Sequence, residues 1–346
     1  MVGSISVTAE VDETAGALPA PHLISIVIPV YQGEKTLAAL LQEIDPLRTP
    51  FVTESGHLAV VHEVVLVFDH GPDDSARVIR QLTEQYSYVR AVWLSKNYGQ
   101  HAATLAGMAS AGGEWIATID EDGQHDPKAI ATLLDTAMAE QASIVYAKPT
   151  NAAPHGFLRN ISSKGAKWIL AHLFVGSRAP EYQSFRLVVG DVGRSVAAYA
   201  GSNVYLDVAL SWVAGSPAVA PVALRDEGDR RSGYSTRRLL SHFWRMVLTS
   251  GTRGLRVVSG IGTVFAIVGL VLTVWVIVSR LFGHDVPEGW ASTIIVVLFS
   301  SGAILFALGV IAEYVGVSVN MALGKPAYLV VSDPANGPLG RPALRK

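Results

Sequence analysis

Apolar and polar positions along the first 150 residues switch repeatedly between two periods. Residues 24–30, Ile-Ser-Ile-Val-Ile-Pro-Val, form a β-rich apolar run, and beyond Tyr31-Gln-Gly-Glu34 the positions Leu37, Leu40, Leu41 and Ile44 recur at helical spacing. Pro46 and Pro50 close that helix, and a loop of about a dozen residues follows, longer than most connections. Residues 62–68 predict a second strand, broken at Asp69-His-Gly-Pro-Asp-Asp-Ser75, and a helix runs on through Ile79 and Leu82. Residues 89–94 predict a third strand and 102–111 an alanine-rich helix. Trp115, Ile116 and Ile119 mark a fourth strand, Pro127 opens a helix carrying Leu133 and Leu134, and residues 143–147 make a fifth strand. This alternation predicts an α/β fold with a largely parallel sheet and helices on both faces.

A parallel sheet sends the ends of its strands to one edge, the place where open α/β sheets bind ligands. Glu34, Asp69, Asp120 and Asp122 each follow a strand and collect there. Taken singly, Glu34 and Asp69 are ordinary turn or helix-start residues. Asp120 and Asp122 leave the fourth strand on a loop turned by Gly123 and Pro127. Two carboxylates one residue apart, with the Gln124 amide oxygen beyond them, can share a hard divalent cation whose other ligands are diphosphate oxygens and water. An Asp-x-Asp pair alone is a weak motif; its place after a buried strand and three strand-helix units gives it weight.

Beyond residue 150 the pattern changes. Residues 157–174 mix Arg159, Lys164 and Lys167 with large apolar side chains, an amphipathic helix that either packs on the sheet or lies on a membrane. Residues 225–256 are strongly basic, with Arg230, Arg231, Arg237, Arg238 and Arg245 set among Leu239, Phe243 and Trp244. Residues 257–279 and 290–312 are 23 residues each without a charge, long enough to cross a bilayer as helices. The connecting loop sets one arginine against Asp285 and Glu288, so the positive-inside bias puts the N-terminal domain in the cytoplasm. The spans hold no polar relay and read as an anchor.

The expected division is therefore a disordered lead-in at 1–22, an α/β domain at 23–235, and a basic juxtamembrane helix at 236–256. Two spans at 257–279 and 290–312 follow, joined by an external loop at 280–289, and a cytoplasmic tail at 313–346 closes the chain. The spans account for a mean hydropathy of +0.34 in a chain that is only 16% charged. A net charge of -2 and a pI near 6.6 leave no electrostatic footprint for nucleic acid. With no cysteine, disulfides, thiolate metal sites and a cysteine nucleophile are excluded.

Several motifs stand in an order that resembles the inverting family 2 glycosyltransferases. They are Ile-Val-Ile-Pro-Val-Tyr at 26–31, Asp69 in a turn ending Asp73-Asp74-Ser75, and Asn97-Tyr-Gly99-Gln100. Asp120-Glu-Asp122-Gly-Gln124-His-Asp-Pro127, Phe185-Arg186-Leu187 and Arg230-Arg231-Ser-Gly233-Tyr-Ser235 follow. The tail, Glu313-Tyr314-Val315-Gly316 and then Gly324-Lys325-Pro326-Ala-Tyr328, resembles the subgroup that loads a sugar onto a polyprenyl phosphate. The resemblance spans residues 23–332.

It implies a GT-A fold, a nucleotide-sugar donor, Mg²⁺ or Mn²⁺, a polyprenyl-phosphate acceptor, an inner or plasma membrane location and a homotetramer. It assigns Asp120, Asp122 and Arg186 to catalysis, and Asp120, Asp122 and Gln124 to the metal. The nucleotide sugar falls to Pro29, Tyr31, Glu34, Asp69, Asn97, Gln100, Asp120, Glu121 and Asp122. The acceptor phosphate falls to Arg159, Lys164, Arg186, Arg230 and Arg231, since the arginine fork suits phosphate. Two departures stand out: His70-Gly71 replaces a small Gly-Ser pair, and Glu121 is bulkier than the usual residue between the aspartates.

Two other readings compete. A processive polysaccharide synthase would carry Gln-x-x-Arg-Trp, which Gln183-Ser-Phe-Arg186 resembles, but Leu187 stands in place of the tryptophan. A catalytically silent membrane scaffold would have no need of Asp120, Asp122, Gln124 and Arg186 together.

Overall fold

Strand β1 (His22–Val30) is buried from Ile24 onward and forms the spine of the sheet in the computed structural model, which describes residues 20–150, 183–201, 204–213, 215–225, 253–282 and 289–337. On one side β1 pairs in parallel with β3 (Leu58–Phe68), and β3 with β4 (Val89–Leu94). On the other it pairs in parallel with β5 (Trp115–Thr118). The ends of β1, β3 and β5 therefore stand side by side, and the acidic residues following them share one edge as expected.

The sheet has more strands than the sequence pattern suggests. The long loop expected after the first helix is a hairpin, β2 (Phe51–Val52) running antiparallel to the start of β3, which begins at Leu58 rather than at residue 62. Beyond β5 lies β7 (Arg186–Val189), antiparallel to both β5 and β6 (Ile144–Pro149). The parallel strand β8 (Ala218–Val222) closes that side, and β9 (Val330–Val331), from the far end of the chain, closes the other against β4. The order is β8-β6-β7-β5-β1-β3-β4-β9, with β2 on β3, so the sheet is mixed but mostly parallel.

Helices cover both faces. Leu37, Leu40, Leu41 and Ile44 of α1 (Leu37–Ile44) join α2 (Ser75–Gln85) and α4 (Ile130–Glu140) over one core. Over the other lie α3 (Gln100–Ser110), α5 (Gly190–Tyr199) and α6 (Leu206–Val213). The small residues of α3 let its backbone approach the sheet: a Cβ on Gly107 would fall 2.2 Å from Cγ1 of Val27.

Two long helices follow, α7 (Arg253–Leu281) and α8 (Trp290–Ala322), with the Phe265 and Phe299 rings 5.3 Å apart. Among the described residues one helical stretch is long and apolar enough to cross a membrane, Phe299–Asn320; Val258–Val271 is apolar over a shorter length. Of the two expected spans, the described residues thus bear out one. The lead-in to residue 19, the amphipathic segment 157–174 and most of the juxtamembrane stretch lie outside the described residues.

Candidate active site at the carboxyl edge of the sheet

The acidic loop leaves β5 under tight control. Ile119 still donates its N–H to Val27, extending the ladder by one residue. Asp120 is then held at three points. Its N–H donates to Nδ1 of His125 at 3.2 Å, and its carboxylate accepts from Nε2 of Gln100 at 2.6 Å and from Oγ of Ser184 at 2.5 Å. Asp122 accepts the N–H of Gln124 through Oδ1 at 3.0 Å, a turn closed by its own side chain. Asp126 caps the 3-10 turn Pro127–Ala129 that leads into α4, accepting the N–H of Lys128 at 3.0 Å. The carbonyl of Gln124 accepts the N–H of Arg225, whose guanidinium reaches Glu43 at 2.6 Å and Asp126 at 3.1 Å.

Glu121, the bulky residue of the motif, has a definite task. Its two oxygens accept the main-chain N–H groups of Tyr31 and Gln32, each at 2.8 Å, stapling the loop after β1 to the loop after β5. The same β1 loop is tied to the next one along. Gly33 donates to Oγ of Ser75, Glu34 donates its N–H to Asp73, and Asp74 returns its N–H to the Glu34 carboxylate at 3.2 Å. Glu34 therefore supports the start of α2, where an anionic side chain suits the helix N-terminus.

Asp69, only 3% exposed, accepts the N–H groups of Tyr98 at 2.7 Å and Gly99 at 2.8 Å, while Nδ2 of Asn97 donates to its carbonyl. Burial pushes its carboxyl above the ordinary range and the two amide bonds pull the other way. The His70-Gly71 departure has a backbone reason. His70 takes a left-handed conformation at φ 51 with its ring against Phe68, and a Cβ on Gly71 would sit 1.5 Å from the carbonyl oxygen of Tyr31. Only glycine allows so close an approach of the two loops.

Residues 25–185 match the family model described as Glycosyl transferase family 2. The matched stretch holds β1 from Ser25 onward, the acidic loop after β5 and the chain up to Phe185. Its relatives include the undecaprenyl-phosphate 4-deoxy-4-formamido-L-arabinose transferase of Sodalis glossinidius (strain morsitans), 29% identical over 332 residues covering 91% of this chain and 95% of that one. The enzyme of the same name from Klebsiella pneumoniae (strain 342) is also 29% identical over 332 residues, covering 90% and 94%. Among solved structures, glucosyl-3-phosphoglycerate synthase from Mycobacterium tuberculosis, in complex with Mn²⁺, UDP-glucose and phosphoglyceric acid, aligns with a TM-score of 0.46 and 16% identity over 67% of this chain and 79% of that one. The sheet described above, mixed and mostly parallel with helices on both faces, is that of an α/β fold.

The edge brings together Tyr31, Glu34, Asp69, Asn97, Gln100, Asp120, Glu121, Asp122 and Gln124 through the bonds just given. Pro29 lies within β1, opposite Val67. Tyr31 is 40% exposed at the mouth. Arg186 stands apart. It is 3% exposed, its guanidinium is ion-paired with Asp207 of α6 and lies 5.7 Å from the centre of the Tyr146 ring. The geometry gives it a buried partner, where the sequence led us to expect a phosphate clamp. Arg159, Lys164, Arg230 and Arg231 lie outside the described residues.

Sequence reasoning passed over His125, Ser184 and Arg225, which fix the acidic loop from three sides. His125 and Ser184 each stand within a motif, next to Gln124 and two residues before Arg186.

Proposed function

We propose that the chain transfers a sugar from a nucleotide-diphosphate sugar to undecaprenyl phosphate, with inversion at the anomeric carbon, on the cytoplasmic face of a membrane. One observation carries the reading: the acidic loop stands on the sheet edge to which the chain returns after its membrane helix, since β9 enters beside the end of β4. The relatives named for undecaprenyl-phosphate sugar transfer match about nine-tenths of the chain.

The donor set fits a Mg²⁺ or Mn²⁺ bound together with substrate. Among the described residues no three His, Asp or Glu side chains converge, and the loop offers Asp120 and Asp122. Such ions are usually held by one or two carboxylates plus substrate phosphates and water. In this reading Asp122, with Asp120 and Gln124 beside it, would hold the cation, and a bound cation would supply positive charge against the departing diphosphate. Gln100, Ser184 and His125 keep Asp120 in place. Glu121 and Asp69 set the walls of the donor pocket through the loops they staple, and Asn97, Tyr31 and Pro29 line it.

The acceptor phosphate needs no base. With a second pKa of about 6 by analogy with other phosphate monoesters, it is largely ionised at neutral pH. It needs cations, and Arg230 and Arg231 begin only five residues beyond Arg225, which is fixed to Gln124; an extended chain of that length reaches about 18 Å at most. Arg159 and Lys164 would complete the clamp. The anchor is Phe299–Asn320, with α7 packed beside it as a second membrane segment; Val264, Leu270, Leu305 and Phe306 are more than half exposed along the pair, as lipid-facing side chains are. Homotetramer assembly belongs to the same proposal.

The test is transfer by the purified full-length protein, offering UDP-, GDP- and CDP-sugars with undecaprenyl phosphate and weighing the lipid product by mass spectrometry. A product one sugar heavier than the lipid phosphate, lost in Asp122→Ala, is expected. Absence of any product with all donors would return the chain to a silent scaffold.

A further inference from the structure

Eight residues beyond the end of α8 the chain rejoins the catalytic sheet. Val330 pairs with Leu94 and Val331 with Trp93, and Ser95 donates its N–H to the carbonyl of Leu329 at 2.9 Å. Because β9 runs against β4, it enters at the carboxyl end of β4, the edge that carries Asp69 and Asp120. The strand covers the open edge of β4, which would otherwise present unpaired backbone groups.

Two residues of ladder make a weak joint, and a second contact reinforces it. Asp333 accepts from Nε and Nη2 of Arg80, both at 2.7 Å, in a two-pronged pair, and takes the N–H of Ala335 at 2.9 Å. Its side chain is 13% exposed, and the Arg80 bonds hold its carboxyl below the ordinary range. The Arg80 guanidinium lies 5.0 Å from the centre of the Trp93 ring, Trp93 meets Phe68 edge-on at 5.4 Å, and Phe68 precedes Asp69. Tyr328 packs against the core beneath α3.

We infer that residues 328–333 are a strap that fixes the catalytic edge close to the bilayer, with Arg80 and Asp333 as its latch. These are positioning residues and do not touch the reacting atoms. The inference rests on the proposed use of a lipid-borne acceptor. From Ala322 to Val330 the extended chain spans at most about 29 Å. With the strap released, the domain is joined to α7 only through the chain between Arg225 and Arg253, 27 residues against the seven between Ala322 and Val330. A longer tether lowers the concentration of the acceptor's head group at the site, while a water-soluble acceptor is indifferent to it.

The experiment places the full-length protein in vesicles of phosphatidylethanolamine and phosphatidylglycerol and compares wild type with Arg80→Asp, Asp333→Arg and the double exchange. Each single variant is expected to raise the KM for vesicle-borne undecaprenyl phosphate about tenfold. Turnover of a short, water-soluble isoprenyl phosphate stays at the wild-type level, and the double exchange recovers the long-chain acceptor. A second readout is independent of activity. The chain has no cysteine, so Lys35→Cys takes a single fluorophore at the catalytic edge, and energy transfer to a headgroup acceptor dye reports its height above the bilayer. Height is expected to rise in both single variants and to return in the double. An unchanged height, or equal losses on both acceptors, overturns the strap. If height shifts as expected while wild type transfers to neither acceptor, the strap stands and the proposed reaction is what fails.

Discussion

The N–H of Asp120 points at Nδ1 of His125, 3.2 Å away, and the imidazole lies 5.0 Å from the ring of Phe185. A buried imidazole thus fixes where the first aspartate of the loop begins, much as outer partners orient the ligands of a metal.

His125→Ala removes that acceptor and is expected to lower kcat by about 10–100-fold, the usual cost of losing a partner that orients a ligand. His125→Asn, whose side-chain oxygen can take the same N–H, recovers part of it. Steady-state transfer kinetics at saturating donor decide the matter; wild-type turnover in the alanine variant would remove His125 from the site.

Glu121→Ala releases the N–H groups of Tyr31 and Gln32 together. Hydrogen bonds to a charged group contribute about 1.5–3 kcal/mol each, so the β1 loop loosens and the KM for the nucleotide sugar rises about tenfold or more. Titration of donor at fixed lipid acceptor measures it. A KM unchanged within error would mean the staple has no part in donor binding.

Arg186 and Asp207 predict a folding phenotype. Removing one partner of a buried pair leaves the other charge uncompensated, so Arg186→Ala is expected to cost about 3–5 kcal/mol and to melt early, with little soluble enzyme to assay. Replacing both at once, Arg186→Met with Asp207→Leu, recovers most of that loss. Thermal unfolding in detergent separates the two; a stable Arg186→Ala protein with only a raised acceptor KM would instead make Arg186 a phosphate ligand.

This pair also shows where the sequence ran out. The parallel half of the sheet was legible because its strands are long apolar runs, each followed by a helix with its own spacing: residues 89–94 and the positions Leu37 to Ile44 came out as read. Strand β7 is four residues long, antiparallel and far from its partners in sequence, so no local period marked it. Arg186 therefore read as a cation in an apolar stretch, and Asp207, its partner 21 residues on, could not be foreseen. At the edge, acidic residue types were legible from their places after strands, but their bonding was not: Asp69 and Glu121 hold backbone amides on neighbouring loops, contacts that depend on the strand order.

Glu63 predicts a pH dependence of stability. It is 7% exposed and accepts from Oγ of Ser25 at 2.7 Å, from the N–H of Gly112 at 2.6 Å and from Arg90 at 2.6 Å and 2.8 Å. Burial alone would push its carboxyl up, but these bonds outweigh it and hold the carboxyl below its ordinary value. As pH falls the unfolded chain takes the proton first. The stability Glu63 contributes is complete above its ordinary pKa and drains away as pH drops through the folded value. Glu63→Gln is expected to lose about 1–3 kcal/mol at neutral pH, with the gap to wild type closing in acid. Melting curves across that range test this; a gap constant with pH would contradict it.

Binding of Mn²⁺ by the full-length protein, followed by electron paramagnetic resonance in the presence of a nucleoside diphosphate, tests the acidic loop most directly. One bound ion per chain, dependent on the nucleotide and lost in Asp122→Asn while the protein stays folded, is the predicted result. Binding of Mn²⁺ and nucleotide that is equal in wild type and Asp122→Asn would contradict it.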